Sequence, residues 1–515
     1  MIDDNSELSY RTISESETDE DYKLGRKHPL KTVLSLCAGP LINNFVKTLQ
    51  DAIHLYFVGV QYGDDGVVAV GMSGYVTMIA TLVSMFGSVS VPITVSRLVA
   101  EKKYDVSSQL IADLIRMGLF VTILLSGTLT FAAKPLLIYL GMTKELIDDT
   151  VKYCYPFLFL SGLMSIFYSL CSALLGEAKA FLSAVFQLSA IVISLFIFDP
   201  IFIFWLKLPI WSVGFAVVSG PVILSFVLFS FYFFQSKKSN IDSMENQNLY
   251  VNDNKQKSIA KKLIHLKFVC KPTLSMIFKK FTFEILIVLK DSLPFVLTGF
   301  AGCFPPIFLV KYAILAGDNA GIGGAVNAVV SAAVQPYNVI NTIVIGLVQG
   351  LAPPASYAHA KRMFSRLLKL LLYVLIVPFM VTIPVTPVFI FWPDKILKIW
   401  ISGADSLELS KAMVPPMFYT NWLFPISEAL TGFLIATGSG ALANVVPIAR
   451  GVGMLAGTFG LYYASDKKSP GVVFMSFMTQ DAGLLLSSIF CALPTIVKVV
   501  KSMKYDSVLQ EGLIN

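Results

Sequence analysis

The 515-residue sequence predicts an all-α integral membrane protein with twelve transmembrane helices in two parallel six-helix repeats. Hydrophobic residues make up 55% of the chain and charged residues only 14%. The apolar residues form blocks that reach the roughly 17 to 25 residues a helix needs to cross a bilayer. Landmark residues in the two halves also recur at one constant offset, which indicates a duplicated bundle.

The apolar blocks, separated by polar breaks, predict the helices in chain order. The predicted spans are 33–60, 67–95, 114–139, 154–174, 181–204, 211–234, 292–316, 321–352, 367–392, 413–436, 441–463 and 471–496. Residues 1–32 lack the apolar core of a signal peptide, so we expect a disordered cytoplasmic tail. Residues 235–290 form the predicted cytoplasmic linker, and residues 497–515 form the predicted C-terminal tail.

Lysine and arginine residues cluster in alternate loops, after the second, sixth, eighth and twelfth predicted spans. Ten lysines between positions 237 and 280 form the largest group. The positive-inside rule therefore places both termini and the long loop in the cytoplasm. The formal charge of +7 reports this topology and does not indicate a nucleic-acid partner.

The two halves of the chain share landmarks at the same spacing. Three pairs are each 262 positions apart: Pro92 with Pro354, Gly141 with Gly403, and Gly176 with Gly438. Six spans per repeat is an even number, so both halves insert with the same orientation. We therefore expect an N-terminal lobe at 33–234 and a C-terminal lobe at 291–496, as in an alternating-access transporter. Chance glycine and proline matches are the alternative.

Signals for catalysis and metal binding are missing from the sequence. GxSxG, HExxH and GxxxxGK[ST] strings do not occur, and the four histidines are scattered. The pairs Asp64–Asp65 and Asp148–Asp149 lie in short loops and lack the spacing of diphosphate chemistry. The six cysteines form no CxxC pair, so we expect them to be reduced and buried. The chain is therefore predicted not to be an enzyme and to carry no cofactor.

A polar stripe crosses the first predicted span. It consists of Asn43, Lys47, Asp51 and His54, spaced by four, four and three residues on one helical face. Placing charges in hydrocarbon costs at least a few kcal/mol unless they face water or a partner, so the stripe indicates a solute or proton pathway. The alternatives are an internal Lys47–Asp51 ion pair and a satisfied histidine at the interface.

The second half contains further candidates for a solute cavity. A stripe in the eighth span consists of Asn327, Ser331, Gln335, Asn338 and Thr342, at steps of four, four, three and four. It predicts either a cavity lining or hydrogen bonds between helices. Glu428 and Arg450 are expected at similar depth as a salt bridge, and Asp481 is a secondary proton-site candidate. An aromatic content of 12% suits amphipathic organic cations.

Several strings resemble one family in their order and spacing. They are GPLINNFVKTLQDAIHLYFVG, SVPITVSRLVA, LLGEAKA and IFDPIFIF in the first half, and GLVQGLAPPASYAHAKR and LIATGSGALANVVPIAR in the second. The chain resembles the multidrug and toxic compound extrusion (MATE) family, in the superfamily that includes lipid-linked oligosaccharide flippases. The loop SRLVAEKKYDVSSQL lacks the glycine-aspartate-arginine motif expected of the major facilitator alternative.

The resemblance implies a cation site in the N-terminal lobe. Asp199 matches the family's fifth-span aspartate, whereas the family's asparagine position is Leu195 here. The first-span acid falls on His54, with Asp51 one turn earlier and Lys47 one turn before that. The tenth-span acid has an approximate counterpart in Glu428. The predicted ion-coupling residues are thus Asp199, Asp51, His54 and Lys47, and those of the substrate cavity are Asn43, Gln335, Asn338, Asn327 and Glu428.

The predicted function is efflux of small organic, cationic and amphipathic solutes in exchange for protons. Carboxylates and an imidazole in such positions titrate near neutral pH, whereas sodium needs several hard oxygen ligands. Sodium is the alternative coupling ion. The alternative function is a lipid-linked oligosaccharide or lipid flippase, which needs a cationic cavity that only Lys47 and Arg450 could supply. We expect a monomer in the plasma membrane or a vacuolar or vesicular membrane.

Overall fold

The computed structural model describes residues 28–233, apart from 87, 89 and 178, and residues 270–514. Every regular element in these ranges is helical, which confirms the predicted fold class. Residues 1–27 of the predicted N-terminal tail and residues 234–269 of the predicted linker lie outside the described part.

The α-helices are numbered in chain order. They are α1 Pro29–Ser84, α2 Val91–Ala100, α3 Tyr104–Leu140, α4 Lys144–Phe159, α5 Ser161–Gly176, α6 Ala180–Val192, α7 Ile210–Phe233, α8 Phe283–Asn319, α9 Gly323–Gln349, α10 Ala352–Ala360, α11 Phe364–Phe391, α12 Pro393–Leu397, α13 Ala404–Met413, α14 Pro415–Phe418, α15 Phe424–Ala436, α16 Gly440–Ala443, α17 Val445–Ala464, α18 Pro470–Phe474 and α19 Ser476–Ile514. Two π-helical segments, Ile193–Phe198 and Ile201–Trp205, follow α6. Two short 3-10 helices cover Leu274–Phe278 and Asn421–Leu423.

Nine helices of the described residues are long and apolar enough to cross a membrane, or ten if α4 and α5, bent by 44°, form one span. The first predicted span and most of the second lie in α1, which ends at Ser84, short of the predicted residue 95, and is interrupted at Gly63 with φ 67° and ψ −160°. A glycine adopts this conformation without the steric cost that a side chain adds. The tenth predicted span is broken into α14, a 3-10 helix and α15. The multi-pass class is confirmed, and a total of twelve spans is consistent with these helices.

The chain divides into two compact units that interleave along the sequence. Among the described residues, unit 1 takes those in 28–72, 137–147 and 300–514, and unit 2 takes those in 73–136, 148–233 and 270–299. The division into an N-terminal and a C-terminal lobe of six helices each stays a prediction.

Unit 1 has a core of buried aliphatic and aromatic residues from α9, α11, α15 and α19. Its fully buried members include Val344, Leu367, Leu370, Phe433 and Phe424. The first half of α1 packs closely on α9, because a Cβ at Gly346 would lie 2.7 Å from the Cα of Leu41. The glycine at this position therefore allows the two helix backbones to approach each other.

Unit 2 has a core formed by α2, α3, α5 and α7, in which Leu98, Leu110, Leu170 and Leu228 are completely buried. The described end of the predicted linker, from Cys270 onward, packs on this core. Backbone and side-chain hydrogen bonds to α3 and to the α5–α6 connection hold it there.

All six cysteines lie in the described part, and each is buried and free of a disulfide, as predicted. The Cys270 Sγ lies 3.0 Å from the hydroxyl of Ser107. Burial raises the pKa of the Cys270 thiol to about 12, so this thiol stays protonated at neutral pH.

Candidate functional site

The polar stripe of the first span lies on α1, in unit 1. Lys47 and Asp51 are exposed, whereas His54, one turn further on, is 5% exposed. The Asp51 carboxylate interacts electrostatically with both Lys47 and His54. The side chain of Asn43 lies outside the described part. The stripe thus combines two accessible charges with a buried imidazole on one apolar helix.

Asp199 lies in unit 2, at the junction of the two π-helical segments, and is 1% exposed. Pro200 lacks an N–H and cannot continue the regular α-helical hydrogen bonding, so the wider π-helical turns on both sides fit this position. Short π-helical segments occur often at functional sites. A carboxylate here is removed from bulk water, and its charge is costly unless a proton or a partner compensates it.

The helix that carries Asp199 is fixed against α7. The Ser194 hydroxyl donates to the carbonyl oxygen of Val217 over 2.9 Å and accepts from the Gly220 N–H over 3.0 Å. A Cβ at Gly220 would lie 1.9 Å from the carbonyl oxygen of Ala190, so the two backbones are nearly in contact. Leu195 is buried and offers no ligand atom at the position where the resemblance implied an asparagine.

The polar stripe of the eighth span lies on α9, and its residues differ in their contacts and exposure. Toward its C-terminal end, the hydroxyls of Thr342 and Thr48 lie 2.9 Å apart, which is the helix-to-helix alternative. Gln335 is half-buried and Asn338 is exposed, and their place in a substrate cavity stays a prediction. Asn327 is buried, and its Oδ1 accepts no hydrogen bond from the residues that the structure describes.

A polar cluster in unit 1 was only partly foreseen from the sequence. We call it the Tyr337 cluster, and its members are Tyr337 on α9, Thr420 before the second 3-10 helix, Glu428 on α15, Arg450 on α17, and Gln480 and Asp481 on α19. Four of the helices that form the bundle of unit 1 therefore meet at this point. Thr420 was missed, because nothing in its local sequence distinguishes it from other threonines.

Tyr337 is the centre of this cluster. The Arg450 Nη2 donates to its hydroxyl over 3.3 Å. The Gln480 amide lies 3.1 Å from the same hydroxyl, and with its oxygen turned toward Arg450 it accepts from the Arg450 Nε and Nη2 over 3.3 and 3.1 Å. The ring of Phe477 packs edge-on against Tyr337 with centroids 5.1 Å apart. These contacts fix the guanidinium beside the phenol.

The expected direct salt bridge between Glu428 and Arg450 is not formed. No ion pair within 4.0 Å joins them among the described residues, and the guanidinium instead bonds Tyr337 and lies 5.2 Å above the Phe424 ring. Glu428 still interacts electrostatically with Arg450 over a longer distance. The sequence placed these two charges near each other, but it could not show that the Tyr337 phenol would take up the guanidinium.

Asp481 is the most buried acid of the cluster, with 1% of its surface exposed. Thr420 Oγ1 donates to its Oδ2 over 2.7 Å. Its Oδ1 accepts no hydrogen bond from the described residues. One oxygen of the carboxyl group thus accepts a direct hydrogen bond, and the other does not.

The described residues contain no group of three His, Cys, Asp or Glu side chains that could hold a metal ion. The candidates are therefore isolated acids, one imidazole and hydrogen-bonding side chains. Such groups can bind and release protons and can contact an organic solute.

Comparison with known proteins identifies what this chain is similar to. The family model MatE matches residues 41–201 and 320–452, more than half of the chain. An inward-facing multidrug resistance MATE family transporter of the MOP superfamily superposes with a TM-score of 0.73 at 16% sequence identity, covering 89% of this chain and 95% of that chain.

Two further structures share the fold. A MOP superfamily transporter from Pyrococcus furiosus, whose binding pocket of reverse polarity suggests a different function, gives a TM-score of 0.66 at 17% identity, covering 94% of this chain and 99% of that chain. An outward-facing multidrug resistance MATE family transporter gives 0.62 at 16% identity, covering 95% and 100%. A comparison with curated protein sequences finds no match.

Proposed function

Because this chain belongs to the MATE family of the MOP superfamily, we propose that it is a secondary antiporter that exports organic solutes in exchange for protons. It is an integral, multi-pass membrane transporter with the fold of multidrug transporters. The finer proposal depends on one observation above all, the burial of the Asp199 carboxyl group in a π-helical stretch of a membrane-spanning segment.

Asp199 is the proposed proton carrier. The carboxyl group takes up a proton from one side of the membrane and must be exposed to water on the other side to release it. Alternating access supplies that exposure on each side in turn. The ionisable stripe of Lys47, Asp51 and His54 on α1 is a second proposed set of coupling residues. That Asp51 and Asp199 act as one site stays a prediction.

The proposed substrates are amphipathic organic cations. Glu428 and Gln335 are half-buried and Asn338 is exposed, so acidic and amide groups are accessible next to an aromatic-rich interior. Aromatic faces and a carboxylate attract a cation and an apolar body together. In this proposal a single chain is the transport unit, no cofactor is needed beyond the coupling ion, and no covalent chemistry occurs.

A lipid-linked flippase is the second candidate, and the exposed Lys47 is the observation that favours it. A pyrophosphate headgroup needs several cationic donors in one cavity. Arg450 is already engaged by Tyr337, which leaves few cations for such a group. We therefore rank export of organic cations first.

The test is efflux of a fluorescent organic cation from vesicles that carry either a proton gradient or a sodium gradient. Asp199→Asn should abolish efflux driven by the proton gradient while the protein remains folded. Asp405→Asn, at an exposed acid on α13, is the matched control and should transport normally. Full transport by Asp199→Asn would refute the role of this residue, and efflux driven only by sodium would refute proton coupling.

A further inference from the structure

We propose that the Asp481 carboxyl group is a second proton-binding site, separate from Asp199 and built by the Tyr337 cluster. The inference deepens the proposed function, since it adds a proton to a proton-coupled transporter. The site itself rests on the contacts, burial and charges of unit 1.

The first argument is the unequal environment of the two carboxyl oxygens. Oδ2 receives the Thr420 hydroxyl over 2.7 Å, whereas Oδ1 forms no direct hydrogen bond with a described residue, and the neighbouring Gln480 side chain also interacts with the carboxyl group. An ionised carboxylate accepts hydrogen bonds at both oxygens, and a buried charged oxygen without a donor is destabilising. A proton on Oδ1 removes this cost, because the group becomes neutral.

The second argument is the balance of charge. The ionisable groups that face Asp481 are Arg450 from α17 and Tyr337 from α9, and Glu428 from α15 interacts with the same Arg450. Two carboxylates therefore share one guanidinium. If both were ionised, one buried negative charge would remain uncompensated in the bilayer interior, which is costly. One bound proton makes the cluster neutral.

The third argument concerns access and consequence. Asp481 and Tyr337 are buried, whereas Glu428 and Arg450 at the edge of the cluster are half-buried. Protons can therefore reach the cluster from its Glu428 side. When Asp481 is neutral, Arg450 is attracted mainly to Glu428, and when Asp481 is ionised the two acids compete for it. Because these three residues lie on α19, α15 and α17, the proton changes the forces between helices.

The test is infrared difference spectroscopy of the purified full-length protein during a pH titration, which detects the C=O stretch of protonated carboxyl groups. The wild type should show a band that disappears as the pH rises, and Asp481→Asn should lack it. Glu428→Gln should keep the band with a lower titration midpoint, since Arg450 then favours the ionised Asp481 alone. Arg450→Lys, which retains the charge, should keep the titration.

A second variant tests the proposal independently in case Asp481→Asn does not fold. Thr420→Val removes the hydroxyl that stabilises the ionised Oδ2 and should raise the midpoint of the same band. An unchanged band in folded Asp481→Asn, or a Thr420→Val midpoint equal to that of the wild type, overturns the proposal. Loss of the band on adding sodium, but not choline, at constant pH also overturns it, because the site then binds sodium.

The infrared result and the vesicle result are separable. A titrating Asp481 band in a protein whose efflux ignores the proton gradient supports the site and refutes proton-coupled export. Proton-driven efflux without any Asp481 band refutes the site and leaves the role of Asp199 standing.

Discussion

At the scale of single residues, Asp113 organises the described end of the linker in unit 2. Its side chain is completely buried and forms an ion pair with Arg116. The Thr282 backbone N–H and hydroxyl each donate to its Oδ2 over 2.8 Å, and the Gln109 amide donates to Oδ1 over 3.0 Å. The Arg116 guanidinium also lies 3.9 Å from the ring centroid of Phe281. One carboxylate thus joins α3 to the start of α8.

Asp113→Ala should lower the free energy of unfolding by about 2 to 3 kcal/mol, because several donors to a charged group lose their acceptor. Thermal unfolding of the purified protein measures the effect. The control is Asp149→Ala, whose partner Lys152 is 3.7 Å away with both side chains about half exposed, and we expect a change within about 0.5 kcal/mol. Equal stability of the two variants would contradict the assigned role.

At the scale of elements, the packing of α17 against α19 depends on glycines. A Cβ at Gly457 would lie 1.9 Å from the Thr479 Oγ1, and one at Gly453 would lie 2.5 Å from the Thr479 carbonyl oxygen. The Thr479 hydroxyl donates to the Gly453 carbonyl oxygen over 2.8 Å. Small residues at helix interfaces in membranes permit this close approach. The same pair of helices carries Arg450 and Asp481.

Gly457→Ala should therefore destabilise the protein by about 1 to 3 kcal/mol through overpacking. Gly460 on the same helix has no atom within 4 Å of its Cβ position. Gly460→Ala should be neutral or stabilising by up to about 1 kcal/mol, because alanine favours the helix. Thermal unfolding of both variants tests the difference, and a Gly457→Ala variant as stable as Gly460→Ala would show that the helices can separate freely.

At the scale of the whole molecule, α1 is held at two interior points, Asn44 and Asp64, by distant parts of the chain within unit 1. Asp64 accepts from the backbone N–H groups of Ser402 and Gly403, each over 2.8 Å, at the N-terminus of α13. A negative charge is favoured there by the helix dipole. Nearer the N-terminus of α1, the Asn44 amide donates to Gln349 Oε1 over 3.0 Å. If the proposed alternating access moves α1 within this unit, we expect these two contacts to open in turn.

A covalent cross-link between positions 64 and 402 should therefore stop transport. The variant Asp64→Cys/Ser402→Cys, joined by a short, reducible bifunctional thiol reagent, should lose efflux and regain it after reduction. The six native cysteines are buried, so the reagent should favour the introduced pair. Each single cysteine variant, treated identically, is the control. Full efflux by the cross-linked protein would show that the contact between Asp64 and Ser402 is kept throughout the transport cycle.

The local sequence was sufficient for the membrane class, the helical content and the family. Hydrophobic blocks report the preference of each segment for hydrocarbon, and this preference does not depend on the neighbours of the segment. Asp481 was selected because an acid inside an apolar block is unusual wherever the block packs, whereas Asp199 was selected by the family resemblance. Both residues are buried, and their roles stay predictions.

In contrast, the hydrogen-bond partners of these side chains were decided only by the tertiary structure. The contacts of Asp481 with Thr420, of Arg450 with Tyr337 and of Asp64 with Ser402 join residues 61, 113 and 338 positions apart. Glu428 and Arg450, expected at similar depth, suggested a salt bridge, but the Arg450 guanidinium bonds the Tyr337 hydroxyl instead. A hydrogen bond depends on distances of a few ångströms between helices, and periodicity along one helix contains no information about them.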